Sequence, residues 1–432
     1  MRPLALLVPI LLSACAFAYP DRIHYVWEPE TSPPSAPPAE PERTFVGLAL
    51  SGGGSRSAVF AAAGMEALHE HGLLSQTTHI SSVSGGGFAA AWHVLNRPDL
   101  CDTESPDATR PICAGDPFDN FQAAMRHSFF ADLRSREFAP NRFGSPTRRL
   151  SSLANSLDEA FINGTTFAEL PASPILLVGA ARYDDGRKFV FSTLTLPDED
   201  DAPGPLADPR VRAASFSRPG CPSATPGDFP FALAIATSAA FPVAFGPTAI
   251  AAPAGCAGGP IEYWHLGDGG VIENKALETL EEVVLRLIGA GEVDRALLIN
   301  LDAEFLTDPD DLFSDSNLSI WTSNPARIVD VAMERGRGYH DLVWAEVRQS
   351  APVPFELIEL RYTDAQIDAW PASCAREAES GVSIAAHVAA IPTSLRISDC
   401  DADLMTAAAR QLVDAAINDR AGELRGMGFA LR

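Results

Sequence analysis

The chain reads as an α/β protein, with a mostly parallel central sheet covered by helices on both faces. Two observations lead to that class. Between Val46 and Trp92, two apolar runs of strand length each break at glycines and pass into an alanine-rich run of helix length, giving two strand-turn-helix units in succession. Strand and helix patterns then keep alternating downstream, which places parallel strands under crossover helices and gathers functional groups at the strands' carboxyl ends.

Composition bounds the rest. The 432 residues are 46% hydrophobic, enough for a large core. The net charge of -24 comes with only two lysines, Lys188 and Lys275. Such a surface repels phosphate backbones, so nucleic acid is excluded as a partner and a polybasic membrane patch is absent.

At the amino end, Arg2 precedes the apolar run Leu4 to Leu12, too short to span a bilayer and suited to a signal-peptide core. Leu12-Ser-Ala-Cys15 resembles the lipobox of bacterial lipoproteins, which implies cleavage after residue 14 and lipidation of Cys15. An ordinary secretory signal, cut at Ala14-Cys-Ala16 or Ala16-Phe-Ala18, is the alternative. The proline-dense stretch Glu28 to Glu42 forbids helix and sheet and reads as an extended tether. The expected organisation is a signal peptide over 1–14, a tether over 15–43, a catalytic core over 44–301 and a C-terminal part, 302–432, completing or extending that domain. The expected location is the bacterial cell envelope, most simply the outer membrane, or otherwise the periplasm or medium.

Leu48-Ala-Leu-Ser-Gly-Gly-Gly-Ser-Arg56 opens the core. Gly52, Gly53 and Gly54 leave bare N–H groups at the start of a helix, a place for negative charge, and Arg56 adds a cation. Ile80-Ser-Ser-Val-Ser-Gly-Gly-Gly87 follows, where a tight turn with small neighbours, Gly86 among them, pushes the Ser84 hydroxyl out at a second helix N-terminus. Far downstream, Trp264-His-Leu-Gly-Asp-Gly-Gly-Val271 ends a strand at Asp268 and turns at Gly269 and Gly270. A serine is a weak nucleophile, and a carboxylate brought within hydrogen-bond reach can act as its base. His265 lies near Asp268 in sequence and reads as a packed strand histidine.

Between these motifs, Arg97-Pro98 ends the elbow helix and opens an insertion to Asp116. Phe118 to Phe138 is helical in pattern, with Phe121, Met125, Phe129 and Phe130 on one face, either packed on the core or covering the site as a lid. Pro174 to Ala181 and Lys188 to Thr193 read as strands joined by the turn Tyr183-Asp-Asp-Gly-Arg187. Leu277 to Leu287 is a helix, Ala296 to Leu301 a strand, Asn324 to Val347 a helix, Phe355 to Tyr362 a strand and Asp403 to Asn418 a closing helix. Asn163-Gly-Thr165 reads as a turn rather than a glycosylation site. The acidic stretches Pro197 to Pro203 and Asp308 to Asp315 lack the oxygen spacing and central glycine of a calcium loop, and no metal or cofactor is expected. Apart from Cys15, six cysteines remain, and neighbour pairing of Cys101 with Cys113, Cys221 with Cys256 and Cys374 with Cys400 is the simplest arrangement.

The three glycine-rich motifs, in this order, resemble the patatin-like phospholipases. The family's Gly-Gly-Gly-x-Arg signature matches Gly52 to Arg56, its nucleophile elbow matches Ser84, with Ser82 where a glycine usually stands, and its Asp-Gly-Gly matches Asp268 to Gly270. Gly64 to Gly72, Thr166 to Pro171 and Ala236 to Pro242 carry weaker similarity. The resemblance implies a three-layer patatin-like fold and a serine lipid acyl hydrolase acting through a Ser84–Asp268 dyad, with Gly52, Gly53, Gly54 and Arg56 forming the oxyanion site and an ester lipid as substrate. It leaves head group and acyl position open. Two rivals stand beside it. One is an α/β-hydrolase triad of Ser84, Asp268 and His340 or His387; the other is an inactive, membrane-anchored binding protein.

Overall fold

A computed structural model describes residues 43–101, 115–137, 146–194, 204–216 except 209, 229–251 except 243, 263–304 and 324–432, together with residues 113, 196 and 227. Cys15, the tether, Cys221, Cys256 and both acidic stretches lie outside the described residues.

The sheet has eight strands. β1 (Thr44–Leu50), β2 (His79–Ser82), β3 (Ile175–Arg182), β4 (Arg187–Phe191), β5 (Thr248–Ala251), β6 (Tyr263–Asp268), β7 (Arg295–Asp302) and β8 (Phe355–Arg361) lie in the order β5-β6-β3-β2-β1-β7-β8, with β4 paired to β3. The run β3-β2-β1-β7-β8 is parallel, whereas β4, β6 and β5 are antiparallel additions at the β3 side. Strand alternation divides the core. Val46, Leu48 and Leu50 of β1 and Leu297, Ile299 and Leu301 of β7 face one apolar layer, while Phe45 and Ala49 of β1 and Ala296 and Leu298 of β7 face the other.

The first layer holds α1 (Ser55–Glu70), α2 (Gly85–Asn96), α3 (Pro117–Met125), α4 (Phe129–Glu137), α5 (Pro146–Leu157) and α6 (Phe231–Ser238). The opposite face is covered by α7 (Leu277–Gly289), whose Leu277, Leu280, Val284 and Ile288 recur at helical spacing and are all buried. Outside it lies α8 (Asn324–Gln349), and after β8 come α9 (Ala375–Ala378), α10 (Ile384–Ala389) and α11 (Asp399–Gly426). The last returns to the first layer, where Leu404, Ala408 and Val413 join the apolar cluster of α1.

Several helix ends follow from side chains. Asp116 accepts the N–H groups of Phe118 and Asp119 at 2.9 and 3.3 Å, with Pro117 in the first turn, and so starts α3. Ser398 accepts the Asp401 N–H at 3.1 Å to start α11, a cap of the kind that contributes about 1 kcal/mol.

The aromatic stretch after the insertion is two helices, α3 and α4, rather than one. Phe121, Met125 and Phe129 are fully buried, so their face packs on the core; Phe130 is 46% exposed. The disulfides Cys101–Cys113 and Cys374–Cys400 are present. Both lysines are buried. Lys188 meets Glu278 at 2.9 Å and Glu282 at 3.6 Å, and Lys275 meets Asp341 at 2.9 Å and Glu359 at 3.0 Å.

Candidate active site

The register of β3 brings two distant motifs together. Ser82, the end of β2, lies opposite Val178, and Asp268, the end of β6, lies opposite Ala180. The two chain segments therefore leave their strands within two residues of each other along β3. Past Ser82 the chain reverses at Ser84 with φ 52° and ψ -123°, a conformation costly for a residue with a side chain. α2 starts at once, and the Ser84 hydroxyl projects from its N-terminus toward Asp268.

The Ser84 hydroxyl stands beside the Asp268 carboxyl and favours its charged form, and Asp268 accepts the Gly270 N–H at 2.8 Å. The carboxyl is buried, at 3% exposure. Burial pushes its pKa up to about 7 from an ordinary 3.8, against the opposing effect of the Gly270 hydrogen bond and the nearby Ser84 hydroxyl. A carboxylate tuned to neutral pH can both take and return a proton there.

The elbow is held from behind. The Ser84 N–H donates to Ser238 Oγ at 2.9 Å, and Ser238 Oγ donates to the Gly179 carbonyl at 2.6 Å, tying α6, β3 and the elbow to one hydroxyl. The glycine-rich loop presses on the same turn. A Cβ on Gly85 would stand 2.0 Å from the Gly54 carbonyl oxygen, so only glycine permits the two helix starts to approach this closely. Gly86 and Gly269 make similar approaches to the Leu50 and Gly179 carbonyls. Ser82, at the place where a glycine stands in the usual elbow, is fully buried at the end of β2.

Within the loop the four predicted oxyanion residues divide. Gly53 and Gly54, with φ of 147° and 62°, line a cavity of about 730 Å³ together with Ser84 and Asp268. No backbone carbonyl among the described residues accepts from their N–H groups. The other two are turned elsewhere. Gly52 donates its N–H to the Asn274 carbonyl at 2.9 Å, and Arg56 does not line the cavity. Its guanidinium is buried and donates to the Ala303 carbonyl at 2.9 and 3.1 Å, to Thr393 Oγ1 at 3.1 Å and to the Ile391 carbonyl. The sequence reading of Arg56 and Gly52 as oxyanion ligands is thereby narrowed: both hold the loop in place from outside the cavity. The Ser55 N–H donates to the Ser394 carbonyl at 2.7 Å, extending the same clamp.

Sequence reasoning missed the partners of this loop. Asn274 lines the cavity, and its carbonyl accepts the Gly52 N–H; Ser394 and its neighbours form a wall contributed by the C-terminal part. Ser238 lay inside a segment already noted, Ala236 to Pro242, without its role being visible. Much of the remaining wall is apolar, from Phe130, Leu133, Phe241, Phe245, Met333 and Leu395, with Arg134, Arg149 and Thr393 beside them.

None of the described histidines lines the cavity. His265 hydrogen-bonds to Asp184 at 2.8 Å at the surface, and His387 to Asp401 at 2.8 Å. His340 is buried beside Glu281 at 2.8 Å and Asp341 at 3.2 Å; burial opposes its charge, yet these partners push its pKa up to about 10. A residue so firmly protonated is unsuited to act as a base near neutral pH.

One family model spans all three glycine-rich motifs. The model of the family described as patatin-like phospholipase matches residues 48–280, more than half of the chain. The chain belongs to the patatin-like phospholipase family. Its mixed, mostly parallel sheet between helical layers is the α/β fold of that family. Similar solved structures include human GIVD cytosolic phospholipase A2, at 13% identity and a TM-score of 0.46, covering 89% of this chain and 60% of that one. The same protein in complex with methyl gamma-linolenyl fluorophosphonate matches at 14% identity and a TM-score of 0.42, covering 90% and 60%. VipD from Legionella pneumophila matches at 12% identity and a TM-score of 0.30, covering 92% and 70%. The chain thus spans about 60% of the length of the human structures. No curated protein matches.

Proposed function

We propose that this patatin-like protein is a serine lipid acyl hydrolase in which Ser84 is the nucleophile and Asp268 the general base. The observation that carries the reading is an elbow serine set beside a buried carboxyl tuned near neutral pH, at the mouth of two helix N-termini. Asp268 takes the hydroxyl proton as Ser84 Oγ attacks the ester carbonyl. The N–H groups of Gly53 and Gly54, supported by the α1 dipole, receive the oxyanion. Its collapse expels the alcohol with the proton returned from Asp268; water, deprotonated by the same carboxylate, then releases the fatty acid and restores Ser84. The apolar walls suit an acyl chain.

The same proposal places the enzyme at a membrane surface of the bacterial envelope, held by lipidated Cys15. Metabolic labelling with an alkynyl fatty acid should mark the wild type and spare Cys15→Ser; equal labelling would remove the anchor from the proposal.

The hydrolase reading is tested by incubating the wild type and Ser84→Ala with a mixed lipid extract. Acyl loss from ester lipids should occur with the wild type alone, and a fluorophosphonate should label Ser84. Indistinguishable lipid profiles would sink the reading.

A further inference from the structure

The buried guanidinium of Arg56 reaches the cavity through a side chain. Its Nη2 donates to Thr393 Oγ1 at 3.1 Å, and Thr393 lines the cavity with Gly53, Gly54 and Ser84, exposed to an incoming ligand. The same nitrogen stands 3.3 Å from the point a Cβ on Gly53 would occupy, so the hydroxyl and the glycine-rich loop are neighbours across one guanidinium. A hydroxyl has one proton to give and two lone pairs to accept with. At Thr393 a cation takes a lone pair, which turns the O–H away from Arg56 and strengthens it as a donor. Among the described residues no acceptor takes that proton.

The segment that carries Thr393 is held on both sides. The Ile391 carbonyl accepts from Arg56 Nη1, and the Ser394 carbonyl accepts the Ser55 N–H at 2.7 Å. Gly54 and Ser394 pair as a parallel bridge, and Pro392 restricts the backbone just before Thr393. A donor held this way is in place before charge develops, the condition under which it stabilises a transition state most.

We infer that the Thr393 hydroxyl is a third donor to the substrate carbonyl oxygen, acting beside the Gly53 and Gly54 N–H groups, and that Arg56 serves the reaction by aiming and polarising it. The inference rests on the proposed hydrolase function and adds a catalytic residue from beyond the family-matched stretch 48–280. When Ser84 attacks, the carbonyl oxygen takes up the electron pair of its π bond, and three donors meet the charge instead of two. The same holds when water attacks the acyl-enzyme. No bond to Thr393 forms or breaks, and Arg56 is a positioning residue that acts through it.

The experiment follows p-nitrophenyl octanoate hydrolysis by the wild type, Thr393→Val and Thr393→Ser, with kcat taken per site titrated by a fluorophosphonate. Valine keeps the shape and loses the hydroxyl. In that variant kcat and kcat/KM should fall together by about ten- to a hundredfold with KM little changed, the range of one hydrogen bond to a charged group. Inhibition by octylboronic acid, whose tetrahedral serine adduct presents a similar oxygen charge, should weaken by a comparable factor. Thr393→Ser should keep most of the activity. The urea midpoint of Thr393→Val should stay near that of the wild type, because the Ala303 and Ile391 carbonyls still hold Arg56. Unchanged kcat in Thr393→Val overturns the inference. A loss shared equally by Thr393→Ser, a change in KM alone, or a urea midpoint lowered as far as in Arg56→Met also overturns it, since none of these marks a transition-state contact. No turnover by the wild type, with Ser84 unlabelled, removes the hydrolase reading and this inference with it.

Discussion

Asp268 carries two opposed demands. In the proposed role of base its charged form accepts a proton, and burial disfavours that form, raising the pKa from 3.8 to about 7. Below pH 7 the carboxyl is protonated and idle, so kcat/KM should fall on the acid side with an apparent pKa near 7. Asp268→Asn should lower kcat by about a hundred- to ten-thousandfold. The stability sign is the reverse. A raised folded-state pKa stabilises the protein fully below the unfolded value and loses that contribution as pH rises through about 7. An amide at this position has no charge to bury, so the Asp268→Asn variant should melt higher than the wild type above pH 7, as differential scanning calorimetry across pH would show.

This residue and Ser84 were legible in the sequence because their neighbours are local: glycines that permit a turn, an apolar strand before it, a helix after it. Arg56 was legible as a cation but not in its direction. Its partners, Ala303, Ile391 and Thr393, lie hundreds of positions away, and nothing local tells whether a guanidinium enters a cavity or leaves it. Ser238 and Asn274 were hidden for the same reason.

At the scale of elements, the glycine-rich loop is a strut between α1 and the segment around Ser394. A Cβ on Gly54 would stand 2.2 Å from the Ser394 carbonyl oxygen at a backbone φ of 62°. Gly54→Ala should therefore displace the loop and slow turnover by about a hundred- to a thousandfold. Titration with a fluorophosphonate would count the sites still intact. Arg56→Met removes the clamp while keeping bulk. It should cost about 3 kcal/mol in urea unfolding, since buried carbonyls are left without donors, and should lower kcat through the loop. A variant with unchanged midpoint and kcat would show that Arg56 does not hold the loop. Among the elements, β1, β2, β3, β7, β8 and α7 were readable from apolar period and length. The break between α3 and α4 was not, because Phe121, Met125 and Phe129 continue one buried face across Arg126 to Ser128. The helix α5 and the short edge strand β5 also escaped notice; β5 has four residues and, among the described residues, pairs with β6 alone.

At the scale of the molecule, the family match ends at residue 280, but the site does not. β8 extends the sheet beside β7, α11 buries the outer face of α1, and Pro392 to Leu395 wall the cavity. A fragment ending at Asp302 should therefore be insoluble or lack a cooperative thermal transition, exposing Val59, Ala62 and Ala63 of α1, which share a face with Glu66 and Glu70, the partners of Arg410 on α11. A soluble, cooperatively melting fragment would show that the later residues are dispensable. The sequence left this region undecided because its contacts with α1 join segments far apart in the chain.

The burial of Lys188 and Lys275 reaches beyond stability. With each ε-amine enclosed in carboxylates, the folded surface offers no lysine to acylating reagents, and attachment chemistry aimed at that group should leave the native protein unmodified at both positions until it is denatured.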